Sequence, residues 1–86
     1  MASYSLLIKA PAAKDLEATP KRDRKRLAAR IKGLATTPRP TGSEKLSGDE
    51  TYRIRQGDYR ILYLIEDARL TVTIVKIGHR REVYRN

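Results

Sequence analysis

Cysteine is absent from the 86 residues, and histidine occurs once. The first absence excludes a disulfide framework and any cysteine-based metal site. The second leaves too few nitrogen and sulfur ligands for a zinc site of the usual kind. Neither a metal nor a cofactor is expected. No apolar run approaches membrane-spanning length, and nothing near Met1 reads as a signal peptide, so the expectation is a soluble, cytoplasmic protein without a membrane partner. Acid is scarce: 10 Asp and Glu stand against 19 Lys and Arg, a formal charge of +9. Such an excess calls for a polyanionic partner, either nucleic acid or an acidic protein or both. Histone-like and ribosomal proteins share that composition, so charge alone names no function. Internal repeats and low-complexity tracts are missing too. The length is that of one domain, residues 1–86, with one modest core.

What is present is concentrated between Tyr52 and Tyr84. Tyr52 and Ile54 alternate with Arg53 and Arg55, the period-2 pattern of a half-buried strand. Gly57-Asp58 is a two-residue hairpin signal of type II′, followed by a second apolar run, Tyr59 to Ile65. If those two residues form the loop, Gln56 faces Tyr59, Arg55 faces Arg60, Ile54 faces Ile61 and Tyr52 faces Tyr63. One face is then Tyr52, Ile54, Ile61, Tyr63 and Ile65, which needs a cover. The other carries Arg53, Arg55 and Arg60. Arg55 opposite Arg60 is a like-charge pair, costing a few tenths to about 1 kcal/mol; such a cost is expected where a site binds an anion. A third strand runs from Leu70 to Ile77. A tight turn at Asp67-Ala68 would pair Ile65 with Leu70, Tyr63 with Val72 and Ile61 with Ile74. Gly78, His79, Arg80 and Arg81 would then emerge beside Arg55 and Arg60, gathering the cations and the histidine at one end of one sheet face.

Upstream, Met1 to Lys9 reads as a strand with Tyr4, Leu6 and Ile8 on one face, ended by Pro11. A short helix is expected over Ala12 to Ala18. Thr19 as N-cap and Pro20 as first residue would open a second helix reaching about Ala35. Its apolar positions, Leu27, Ile31 and Leu34, fall at i, i+4, i+7. The rest is basic, including Lys21, Arg22, Lys25 and Arg26. That stripe reads either as a solvated exterior or as a runway along RNA phosphates, which needs no base-specific residues. Thr36 to Glu50 is a long connection in which Leu46 is the one large apolar residue, expected to pin the loop to the core. The order β-α-α-β-β-β predicts an α+β domain: two N-terminal helices packed on one face of a small, mainly antiparallel four-stranded sheet, with the arginine face left open.

Three segments carry a resemblance: Tyr52-Arg53-Ile54-Arg55, Gly57-Asp58-Tyr59-Arg60-Ile61-Leu62-Tyr63, and Ile77-Gly78-His79-Arg80-Arg81-Glu82-Val83-Tyr84. Lys45-Leu46 with Gly48 adds to them. Together they resemble the RelE-type toxins of the RelE/ParE superfamily, over essentially the whole chain. The resemblance implies a RelE-like fold and the toxin of a type II toxin–antitoxin pair. It implies a metal-independent endoribonuclease, an mRNA interferase that cleaves mRNA in the ribosomal A site through attack of a ribose 2′-OH and so inhibits translation. The implied partners are mRNA, the ribosome with its rRNA, and a cognate acidic antitoxin.

Carried over by position, Arg53, Arg55, Arg60 and Arg80 match the family's basic catalytic residues, and Tyr84 matches the tyrosine at the scissile nucleotide. The chemistry needs such groups independently. A pentacovalent phosphorus transition state gathers negative charge, and preorganised guanidinium forks stabilise it. Arg stands where some members have Lys, and a permanently protonated Arg is a poor base. His79 is therefore the expected acid/base group. Lys21, Arg22, Lys25, Arg26, Lys45 and Arg81 are the expected RNA-binding residues. Two alternatives differ in class. Members on the ParE side share the fold but inhibit DNA gyrase without cutting RNA, and a basic RNA-binding module would bind RNA with a steep salt dependence and leave it intact.

Overall fold

The computed structural model describes residues 3–46 and 50–79. Five strands and two helices occupy them: β1 (Ser5–Ile8), α1 (Ala10–Ala18), α2 (Lys21–Gly33), β2 (Glu44–Lys45), β3 (Thr51–Gln56), β4 (Tyr59–Glu66) and β5 (Thr71–His79). The strands form one sheet in the order β1-β5-β4-β3-β2. β1 runs parallel to β5, and every other pairing is antiparallel. This is the α+β architecture expected, with one addition. The connection after α2 contains the two-residue strand β2, which pairs Glu44 with Arg53 and Lys45 with Tyr52. Two residues leave no periodic signature in the sequence. None of the helices among the described residues is long and apolar enough to cross a membrane.

The β3–β4 hairpin has the register its turn residues dictate: Tyr52↔Tyr63, Ile54↔Ile61, Arg55↔Arg60 and Gln56↔Tyr59. Gly57 has φ +61°, and Asp58 is not in the positive-φ region. Positive φ at the first loop residue alone distinguishes type II′ from type I′. The next connection departs from expectation. Asp67–Arg69 form a 3₁₀ turn and Leu70 closes it in the left-handed region, at φ 50° and ψ 50°. The longer turn pairs Ile65 with Val72 and Tyr63 with Ile74. This is two residues from the expected register, so the faces are unchanged. A bulge then intervenes: Tyr63 pairs with Ile74, but Leu62 pairs with Lys76, leaving Val75 as the extra residue. One inserted residue inverts the faces that follow. Ile77 thereby joins Val72 and Ile74 in the core, opposite Ile61.

The helices cover the Tyr52–Ile54–Ile61–Tyr63–Ile65 face. Leu27, Ile31 and Leu34 of α2 and its C-terminal end, with Ala12 of α1, are buried against it. Tyr52 and Tyr63, directly opposite each other, stack with ring centroids 5.8 Å apart. Both helices begin close to where Pro11 and Pro20 set them. Pro11 lies in the first turn of α1. Thr19 has a different role from the one expected: its Oγ1 donates to the Asp15 carbonyl (2.8 Å) and so closes α1, while Pro20 is the N-cap of α2.

β1 is shorter than β5, so the outer edge of β5 runs bare beyond Ile74. Asp15 of α1 substitutes for a strand there. Its Oδ2 accepts from the Ile77 backbone N–H at 3.2 Å and lies 3.3 Å from Lys76 Nζ. A second clasp holds the long connection. Arg39 donates to both carboxylate oxygens of Asp67 (3.2 and 2.8 Å) and, through Nε, to the Tyr52 hydroxyl (2.9 Å). Tyr4 donates to the same carboxylate (2.7 Å), and Tyr63 donates to the Pro38 carbonyl (2.8 Å). Leu46 is half-buried, and its N–H donates to the Thr51 carbonyl (2.8 Å).

Candidate functional site

Three of the expected arginines share the sheet face that neither helix covers. Alternation along β3 puts Arg53 and Arg55 there, and the hairpin register puts Arg60 beside Arg55. Their environments differ. Arg53 Nη2 donates to Glu44 Oε1 at 2.7 Å, and its side chain is only 18% exposed. Glu44, an acid on the edge strand that the sequence did not mark, thus orients the first arginine. The Arg53 guanidinium in turn holds the Glu44 carboxyl below the usual carboxylate range, with Arg55 adding a smaller push in the same direction. Arg55 is exposed. Arg60 is 5% exposed, and its Nη1 donates to the Tyr59 carbonyl at 3.3 Å. Gly78 is the residue opposite Arg60 on β5 and brings no side chain to that position. A guanidinium held at low solvent exposure interacts with an anion at a lower effective dielectric than one in bulk water.

His79 does not join this set. The bulge at Val75 places it opposite Tyr59, and Tyr59 is one residue before Arg60, so both rings belong to the helix-covered side. The rings meet edge to face, centroids 5.9 Å apart at 76°. Both line a cleft of about 330 Å³ that the α1–α2 junction closes on its other side. The expected convergence of histidine and arginines on one face is therefore corrected. They converge at one end of the sheet but on opposite faces, because one unpaired residue inverted the parity of β5.

Lys21, Arg22, Lys25 and Arg26 are all exposed along α2. They lie on the helix layer, across the sheet from Arg53 and Arg55. Lys45 is exposed on β2, with its Nζ 3.6 Å from Glu50 Oε1. Arg80, Arg81 and Tyr84, like Gly48, lie outside the described residues. The cations thus occupy two separate surfaces: the arginine face, and a basic helix on the reverse side of the sheet.

Comparison with known proteins agrees with this arrangement. A family model for the ParE toxin of the type II toxin–antitoxin system parDE matches residues 6–84. The toxin–antitoxin complex RelBE2 of Mycobacterium tuberculosis superposes with a TM-score of 0.82 at 30% identity, covering 93% of this chain and 94% of the matched one. The archaeal RelE–RelB complex of Pyrococcus horikoshii gives 0.79 at 27% identity, covering 91% and 96%. Toxin RelG of M. tuberculosis is 46% identical over 35 residues, which is 41% of this chain; the matched stretch spans about two fifths of that relative's length, 40%. A match across nearly the entire length, on a fold shared with RelE structures, places the chain in the ParE toxin family of type II toxin–antitoxin systems, within the RelE/ParE superfamily.

Proposed function

We propose that this toxin is a metal-independent endoribonuclease of the RelE type, cutting mRNA in the A site of the translating ribosome and so arresting translation. The observation that supports it is the grouping of Arg53, Arg55 and Arg60 on the uncovered sheet face, with a like-charge pair kept at its centre. A fold gains nothing from Arg55 opposite Arg60; an anionic ligand does. The ribose 2′-oxygen attacks the adjacent phosphorus, the bond to the 5′-oxygen breaks, and a 2′,3′-cyclic phosphate and a 5′-hydroxyl remain. In balance, one proton leaves the 2′-hydroxyl and one reaches the departing 5′-oxygen. The arginines stay protonated, so their part is electrostatic: they stabilise the extra charge on the phosphate oxygens, and loss of one such donor costs about 100-fold in rate. Arg80 and Tyr84 enter this set through the family resemblance, as a further cation and as the ring at the scissile nucleotide. His79, on the other face, is not assigned the proton transfer. Lys21, Arg22, Lys25, Arg26, Lys45 and Arg81 hold rRNA or mRNA phosphates.

The matched complexes contain antitoxins, and the charge of +9 suits an acidic one. An acidic segment laid over Arg53, Arg55 and Arg60 would neutralise the site and block RNA together. Hydrogen exchange of a complex with the cognate antitoxin tests this; no slowing of the β3 and β4 amides would argue against it.

The decisive test adds purified toxin to a stalled ribosome–mRNA complex and maps 3′ ends by primer extension, beside free mRNA and an Arg55→Ala/Arg60→Ala variant. Ribosome-dependent A-site cuts that the variant loses are expected. A second reading has its own support, because the matching family model is that of ParE: a gyrase inhibitor that binds without cutting RNA. It predicts intact mRNA, inhibited DNA supercoiling, and toxicity that survives the double substitution.

A further inference from the structure

The cleft beside His79 is not used by the arginine set. Its walls are unusual for a leftover between helix and sheet. Tyr59 and His79 present aromatic surface in two nearly perpendicular planes, at 76°. Pro20 and Ile77 supply apolar wall, and Asp15 supplies a carboxylate. A volume of about 330 Å³ is at the lower end for a small-molecule pocket, roughly 300–1,000 Å³.

We propose that this cleft is a nucleobase pocket, which takes one unstacked base of the RNA strand from a nucleotide flanking the phosphate held by Arg55 and Arg60. The proposal rests on the RNA-cleaving reading for its ligand and adds a contact on the opposite side of the sheet end.

Three observations favour it. The first is continuity. Tyr59 precedes Arg60 and His79 follows Gly78, so each strand passes from the arginine face to the cleft in one residue, about 3.3 Å along the chain. The two sites therefore share one end of the sheet on opposite faces, and a single strand that rounds that end passes both. The second is chemistry. Flat aromatic rings are the usual platform for unstacked bases, whatever their sequence. The third is charge. The described donors to Asp15 are the Ile77 amide and the Lys76 ammonium, while a carboxylate has about four lone-pair sites. The remaining sites accept an exocyclic amino group, which adenine, guanine and cytosine have and uracil lacks. Lys21 and Arg22, exposed immediately after Pro20, are positioned for the next phosphate.

The test uses the full chain and 2′-O-methyl RNA heptamers, which supply no attacking hydroxyl. One position at a time is made adenine, uracil or abasic, and binding is read by fluorescence anisotropy. At one position the abasic heptamer should bind about ten-fold or more weakly than the adenine one, with uracil between them. Tyr59→Ala should abolish that difference, and Arg55→Ala should weaken all heptamers alike. The adenine–abasic comparison needs no variant, so a misfolded Tyr59→Ala protein cannot hide the result; Tyr59→Phe, which keeps the ring, should retain the difference. Equal binding of abasic and adenine heptamers at every position would overturn the proposal. So would a Tyr59→Ala protein that keeps base dependence but loses the antitoxin, which would assign the cleft to that partner. Ribosomal primer extension run in parallel separates the two claims. Base-dependent binding without cleavage removes the nuclease and keeps the pocket; cleavage without base dependence does the reverse.

Discussion

Replacing Asp15 isolates a device by which a helix completes a sheet. β1 stops pairing with β5 at Ile74, and the Ile77 N–H beyond it is satisfied by the Asp15 carboxylate at 3.2 Å. Ile77 itself is 1% exposed, so its amide has little access to water. A buried N–H stripped of its acceptor costs about 1–3 kcal/mol. The accompanying ion pair with Lys76 adds at most about 1 kcal/mol, since the Asp15 and Lys76 side chains are 26% and 43% exposed. Asp15→Ala should therefore cost about 2–3 kcal/mol out of the roughly 4–13 kcal/mol expected of a chain this size. In thermal terms, at about 4–8 °C per kcal/mol, that lowers Tm by about 8–24 °C. Asp15→Asn keeps an acceptor oxygen and loses only charge, so it should cost about 1 kcal/mol. The assay is equilibrium urea denaturation of the three proteins, with m-values compared to confirm that only stability changed, repeated in about 1 M salt. Equal losses for Ala and Asn would show that charge, not the amide contact, carries the effect. A loss that vanishes in high salt would reduce Asp15 to a surface ion pair.

Other outcomes follow from single contacts. Arg55→Thr removes the like charge facing Arg60 and should raise stability by a few tenths to about 1 kcal/mol while lowering cleavage about 100-fold, read by denaturation and primer extension; a destabilised Arg55→Thr protein would contradict the like-charge argument. Leu70 occupies the left-handed region and is 43% exposed, so Leu70→Asn should raise stability by about 0.5–1 kcal/mol, measured as a shifted urea midpoint. Leu27→Ala opens a cavity under α2, which is anchored by Leu27, Ile31 and Leu34, and should cost about 2–5 kcal/mol, seen as a lower midpoint with the fold retained by circular dichroism. The Asp67 carboxyl is held low by Arg39 first and Tyr4 second, and the Glu44 carboxyl by Arg53. A depressed folded-state pKa contributes stability that is present above the unfolded value, about 4, and is lost as pH falls through the folded one. Stability should therefore decline below about pH 4, and less steeply in an Arg39→Met protein.

The parts of this molecule that were legible in the sequence are those with a local chemical marker. Gly57-Asp58 can form only a few turn types, and from it the whole β3–β4 register followed. The spacing of Leu27, Ile31 and Leu34 gave α2 its buried side. What stayed hidden lacked such a marker. Leu70 takes the left-handed conformation with no glycine or asparagine to signal it, so the turn before β5 read as too short. Val75 is a β-branched residue in a β-rich run, and nothing about it announces a bulge. Its effect is nonetheless large, since the face of every later residue in β5, His79 included, depends on it. β2 is held by pairing with Arg53 and Tyr52, a tertiary cause with no local sign. Of the site, the shared face of Arg53, Arg55 and Arg60 was readable from period 2 together with the Gly57-Asp58 turn; the Glu44 contact and the separation of His79 from the arginines were not.

The parallel pairing of β1 with β5 also bears on how the chain is made. A ribosome delivers Ser5–Ile8 first and Thr71–His79 much later, yet β5 sits between β1 and β4. Until residues 71–74 emerge, the N-terminal strand has no neighbour to pair with, and Ile61, Tyr63 and Ile65 of β4 lack the strand that pairs beside them. Long-range pairings of this kind slow folding, and half-synthesised chains expose the surfaces they will later bury. The β3–β4 hairpin that carries Arg53, Arg55 and Arg60 is thus complete in sequence before the strand that will lie between it and β1. Through that interval the flank of β4 that β5 will pair with stays open to any strand that can pair there, a partner's included.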